Sequence, residues 1–133
     1  MARSYYNSLS TLFALTAQVP KVEFITNGLI DRTIAKARES SRRRMNYFLH
    51  SDEAVPVYRL LNAMQRGMFV PVHRHLNPAL SESCVVLRGK VGVVIYDDDG
   101  RVVERRLVGR KADACGFDFE AGIWHGLVVL EDD

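Results

Sequence analysis

The chain has 133 residues, 47% of them apolar and 26% charged, with a formal net charge of +2. That length suits one domain burying about two-thirds of its unfolded surface, and the composition lies too near the globular average for a disordered, collagen-like or coiled-coil chain. So small a net charge gives no footing for nucleic-acid binding, and no apolar run reaches the roughly 18 residues that a membrane span needs.

Met1 to Ala17 carries one arginine and a short apolar stretch, Leu12 to Leu15, bracketed by Ser and Thr, which makes a poor signal peptide. Residues 5–17 suit a short helix that Pro20 ends. Val22–Thr26 reads as a strand, and Leu29–Glu39 as an amphipathic helix whose Leu29, Ile30, Ile34 and Ala37 share one stripe. Residues 1–42 therefore read as an N-terminal helical and strand adapter, and residues 43–133 as a β-domain. Within the latter, short strands are expected at Met45–Leu49, Val57–Ala63, Met68–Val72, Ser83–Leu87, Val91–Tyr96, Arg101–Leu107, Ala114–Phe119 and Trp124–Leu130. Many short strands divided by turn residues argue for a mainly β sandwich or barrel.

Arg42–Arg44 opens that domain. On a strand, Arg42, Arg44, Asn46 and His50 project to one side, while Met45, Tyr47 and Leu49 project to the other. The polar side is either a solvated face or the lining of a pocket mouth, where an arginine fork holds a carboxylate or phosphate. Asp97-Asp98-Asp99-Gly100 is a hairpin turn; it lacks the alternating ligands of a calcium loop. Cys84 and Cys115 show no C-x-x-C spacing and read as free buried thiols, which favours a reducing cytoplasm.

The chemistry-bearing pattern is Gly67-x5-His73-x-His75-x6-Glu82-x6-Gly89, followed by Gly122-x2-His125, which takes in three of the four histidines. Imidazoles two apart at a strand end share a face and can bind one cation; Glu82 adds a hard oxygen after a turn through Asn77–Pro78, and His125 closes the set from a distant strand. Three nitrogens and one oxygen leave one or two positions open on a five- or six-coordinate metal, as catalytic sites do. The donor set suits iron, zinc, manganese, nickel or cobalt alike, so the expected cofactor is one divalent ion of unspecified identity. Cys84, two residues beyond Glu82, shares its face and would offer a sulfur.

These residues resemble the cupin superfamily, whose motifs have the forms G-x5-H-x-H-x(3,4)-E-x6-G and P-x-G-x2-H-x3-N. Here six residues separate His75 from Glu82, and Glu120 and Val129 stand at the proline and asparagine positions. The stretch Phe24 to Leu130 is similar to the WbuC-type cupin metalloproteins through Arg42-Arg43-Arg44-Met45-Asn46-Tyr47, Leu61-Asn62-Ala63, His73-Arg74-His75, Val85-Val86-Leu87-Arg88-Gly89 and Trp124-His125. The resemblance implies a jelly-roll β-barrel with a short helical N-terminal segment, and a place in bacterial O-antigen polysaccharide metabolism. It also implies a further strand beyond the one bearing His125, so that an open sheet edge is expected here, covered by Val22–Thr26 or by a second subunit of a homodimer.

Two functional classes follow. One is a metal-dependent enzyme, an isomerase or epimerase or a dioxygenase, acting on a sugar or sugar-derived acid; Glu120 and His50 are the candidate bases, and no catalytic residue is assigned. The other is a metal-stabilised module that binds such a ligand without turnover. A third, weaker reading has the metal only brace the barrel. In the first two, a small anionic or polyhydroxylated ligand meets the metal at one end and Arg42, Arg44, Asn46, His50 and Trp124 at the other. Trp124 either stacks on a sugar ring or fills the core.

Overall fold

The computed structural model describes residues 22–50 and 55–132, so the expected helix at 5–17, the stop at Pro20 and the leader-like stretch before Ala17 lie outside the described residues. The described chain folds as one helix, α1 (Asn27–Glu39), and eight strands: β1 (Arg44–Phe48), β2 (Leu60–Met64), β3 (Phe69–His73), β4 (Glu82–Val85), β5 (Lys90–Tyr96), β6 (Val102–Gly109), β7 (Gly116–Phe119) and β8 (Trp124–Glu131). Each expected strand from Met45 onward has its counterpart, displaced by a few residues at most.

Val22–Thr26 is not a strand: these residues are exposed and pair with nothing in a sheet. Thr26 instead caps α1, its Oγ1 accepting the Leu29 amide at 3.2 Å, which satisfies one of the amide donors left free at a helix start. The buried stripe of α1 is Leu29, Thr33 and Ala37, one residue every turn. Thr33 can be buried because its hydroxyl donates to the Leu29 carbonyl at 2.8 Å. Lys36 and Arg38 sit in the last turn, where cations suit the helix dipole.

All strand ladders are antiparallel, and they form three sheets rather than one closed barrel. β1 pairs with β2 under α1; β4 pairs with β7; and β3, β8, β5 and β6 make a four-stranded sheet in that order. β8, last in the chain, lies between β3 and β5. Two backbone hydrogen bonds, Gly67 N to Val129 O and Val129 N to Met68 O, both 2.8 Å, tie the β2–β3 connection to the end of β8.

The core lies between the inner face of the large sheet and the β4–β7 pair. Val86, Val93, Val108 and Phe119 are buried there, with Val91, Ile95, Ala114, Phe117 and Leu127 packed around them. Strand alternation fixes the opposite face. Phe69, Val128, Gly92 and Leu107 run in register across all four strands, with Val72 and Leu130 nearby, and Phe69, Val72, Leu107 and Leu130 are exposed. Gly89 makes the turn into β5 at φ 74°; any Cβ there would run into the Glu131 carbonyl oxygen, so only glycine fits. No described helix is long and apolar enough to cross a membrane.

Val108 is 1% exposed in this core and Val103 on the same strand is 60% exposed. Val108→Ala should cost about 2 kcal/mol in urea unfolding, from lost burial plus the cavity left behind, and Val103→Ala less than about 0.5 kcal/mol. Equal losses would contradict this division of β6 into an inner and an outer face.

Candidate metal centre

His73 ends β3, His75 lies two residues on, Glu82 begins β4 in the facing pair, and His125 is the second residue of β8. His73 and His125 are register partners across the β3–β8 ladder, so their rings meet at 4.4 Å between centroids. A bulge between Val70 and His73 accompanies that pairing. His75 leaves the strand but is held by Gly122, whose amide donates to the His75 carbonyl at 3.1 Å; Gly122 reaches it with φ 88°. Glu82 faces the histidines from the opposite layer. One ligand atom from each of His73, His75, Glu82 and His125 lies within 4.8 Å of all the others, so the four can hold a metal ion.

The hydrogen bonds of the rings prepare this role. Nδ1 of His73 donates to the Pro71 carbonyl at 2.8 Å, and Nδ1 of His125 to the Ile123 carbonyl at 2.9 Å. In the neutral ring each of these bonds selects the tautomer whose Nε2 is free to bind a metal. His125 is 1% exposed, stacks against Phe119 at 4.5 Å, and its buried Nε2 has no hydrogen-bond partner. A buried polar atom left so costs about 1–3 kcal/mol. His75 Nε2 lies 3.1 Å and His125 Nε2 3.5 Å from the same Glu82 oxygen, Oε2. Two ring nitrogens and one carboxylate oxygen converging on one point fit a cation there, which would satisfy the orphaned nitrogen and neutralise the carboxylate together. The donors are half exposed at His75 and Glu82 and closed at His125, so the site opens on one side only.

Cys84 shares the inner face with Glu82, opposite Phe117, but does not belong to the four-residue group. Burial first, and the Glu82 charge second, push its thiol above the usual range, which keeps the sulfur protonated near neutrality. Both cysteines are free, yet Cys115 is exposed rather than buried, because it falls in the bend before β7 instead of within the strand.

The expected ligand-binding arginines stand on a different sheet from His73 and His125. Arg44 and Asn46 lie on β1, Arg42 just precedes it, and β1 pairs with β2 and packs on α1, not beside the histidine-bearing β3. Asn46 Oδ1 is buried without a partner. His50 is engaged by the backbone of Arg59 and stacks edge-on with Phe48 and Tyr58. Trp124 neither fills the core nor enters the site. Alternation with His125 turns it to the outer face, where the Arg74 guanidinium lies 4.4 Å over its ring and its Nε1 donates to Asp98 at 3.1 Å. Sequence reading passed over Arg74 and Asp98, although Arg74 stands between two ligand histidines and alternation alone places it opposite them. Asp98 belongs to the β5–β6 turn, where Asp97 Oδ1 accepts the amides of Asp99 and Arg101.

What fold and site define is a mainly β protein with a three-histidine, one-glutamate candidate metal centre. Residues 25–108 match the family model described as Domain of unknown function (DUF6016), and the chain belongs to that family. The matched stretch contains His73, His75 and Glu82, and His125 lies beyond it. No curated protein and no solved structure matches the chain.

With one thiol exposed and the other half buried and protonated, a disulfide-exchange reagent at pH 7.5 should titrate one cysteine quickly and the second at least tenfold more slowly. Cys115→Ser should remove the fast phase; its persistence in that variant would contradict the assigned exposures.

Proposed function

We propose that this protein is a small metal-binding cupin-like protein whose sheets form an open jelly roll. It binds or acts on a small anionic or polyhydroxylated ligand, a sugar or sugar-derived acid of bacterial surface polysaccharide metabolism, in the cytoplasm. The observation that carries the metal reading is the buried, unpartnered Nε2 of His125 aimed at the oxygen that His75 also approaches. The strand order β3-β8-β5-β6 facing a β4–β7 pair supports a jelly roll, as two antiparallel layers enclosing one core. The polysaccharide setting rests on the resemblance to WbuC-type cupins.

In this reading, His73, His75, Glu82 and His125 would hold a divalent cation, which supplies Lewis-acid polarisation to an oxygen donor of the ligand. His125 and Phe119 exclude water from the closed side, the Pro71 and Ile123 carbonyls fix two ring tautomers, and the half-exposed side at His75 and Glu82 admits the ligand. A second reading, binding without turnover, is favoured by the placement of the candidate bases: His50 is engaged at the β1 end of the molecule, and Glu120 is exposed in the β7–β8 connection. Glu82 itself is a ligand in both.

The protein purified without chelators should carry about one divalent ion per chain, with His75→Ala and His125→Ala reduced to background by elemental analysis. Equal metal content in all three proteins would refute the centre. For the ligand, a thermal-shift screen of sugar acids and sugar nucleotides should show metal-dependent stabilisation in the wild type. Because β1 stands apart from the cluster, Arg42→Ala/Arg44→Ala should keep the full shift, and losing it would return the arginines to the site.

A homodimer belongs to the same proposal. The outer face of the large sheet carries an exposed apolar cluster, Phe69, Val72, Leu107 and Leu130, around Gly92 and Gly126, bordered by the charged Arg74, Asp98 and Arg105. Exposed apolar side chains rimmed by charges suit cover by a second copy of the chain. Light scattering should give twice the 15.1 kDa chain mass, and Phe69→Asp should shift it toward the monomer. A wild-type protein that stays monomeric at high concentration would dismiss the dimer.

A further inference from the structure

The geometry points to a positioning clamp on the outer face of the sheet. Arg74, Trp124 and Asp98 together set the spacing of the ligand histidines, and through it the protein's affinity for the cation. This inference rests on the reading that the four-residue centre holds a divalent metal.

Asp98 Oδ1 is the point of convergence. It accepts Arg74 Nη1 at 2.9 Å and Trp124 Nε1 at 3.1 Å, while the Arg74 guanidinium lies 4.4 Å over the Trp124 ring. Three segments are thereby joined: the residue between His73 and His75, the residue before His125, and the turn after β5. Two of the three clamp residues are covalently adjacent to ligands. A backbone shift at Arg74 would carry His73 and His75 with it, and one at Trp124 would carry His125. The need for such a device is local. His75 lies beyond β3, where its carbonyl is held by the Gly122 amide rather than by a strand ladder. The ladder beneath His73 is interrupted by the bulge. On the inner side the imidazoles face a carboxylate; on the outer side the clamp holds the backbone that carries them.

The chemistry specifies arginine and an aromatic ring. A planar guanidinium can stack on an indole and donate to a carboxylate at once, whereas a lysine ammonium offers a point charge without the plane. Asp98 is 85% exposed, so its own placement comes from the turn, where Asp97 Oδ1 ties the Asp99 and Arg101 amides. The outer contacts do not touch the metal; they act by pre-ordering the groups that do.

Zinc and cobalt affinities, measured by chelator competition, test this on the full chain. Arg74→Lys, Arg74→Ala and Trp124→Leu should each bind roughly tenfold or more weakly, the usual loss when a group that orients ligands is removed. The visible spectrum of the cobalt form should change shape in the same variants. Asp98→Asn, a near-isosteric change at an exposed site, should weaken binding in the same direction with unfolding of the metal-free protein unchanged. Arg101→Ala, in the same turn but outside the clamp, should match wild type. Folded clamp variants with wild-type affinity and spectrum would overturn the clamp alone; a wild-type protein that binds neither metal would overturn the centre and the clamp together.

Discussion

The ring of His125 is wedged between Phe119 and the inner face of the four-stranded sheet, and the arrangement around it follows from placing a polar ring there. One nitrogen is answered by the Ile123 carbonyl; the other is buried, lies 3.5 Å from Glu82 Oε2 and has no hydrogen-bond partner. Folding alone therefore leaves a buried polar atom unsatisfied. That is unfavourable in a chain by itself, and a cation held between the ring and the carboxylate would relieve it. The β4–β7 pair must lie across the sheet for Glu82 to reach the ring, and that same crossing encloses Val93, Val108 and Phe119. Core and site are thus one packing problem, solved by the same two layers.

Much of this was legible in the residues. The period-two strands and the Asp97–Gly100 turn come from local alternation and turn chemistry, which tertiary context here did not override, whereas the helix stripe was legible only in part: Leu29 and Ala37 are buried as expected, but Thr33 is the buried residue between them and Ile30 and Ile34 are half-buried. The four-residue cluster was legible because His73 and His75 are spaced to share a face, and Gly122 marks the turn that delivers His125. Six residues between His75 and Glu82 did not displace the carboxylate, since the extra length is spent crossing from one sheet to the other.

Other placements needed the third dimension. Alternation divides β1 into faces but says nothing of which sheet β1 joins, and so its pairing with β2 under α1, apart from the sheet that bears His73 and His125, could not be read from the residues. Val22–Thr26 has strand-like residues, yet Thr26 is engaged by the amide of Leu29, and a helix start overrides a strand end. Trp124 beside His125 invites a role in the site, while the pleat of β8 sends neighbours to opposite faces. Cys115 looked like part of a strand until the bend before Gly116 exposed it.

β8 is the last strand in the described chain and yet sits between β3 and β5, two strands made much earlier. Its insertion is a long-range event, with a correspondingly large loop-closure entropy and a slow step expected of such topology. Until it happens the chain carries only the His73–His75 pair and a loose carboxylate. The complete four-residue group arises when the final strand zips into place. Under the proposed metal-binding role, cation capture and completion of the sheet would therefore be coupled, and metal available during synthesis would favour the finished topology over its partly assembled competitors.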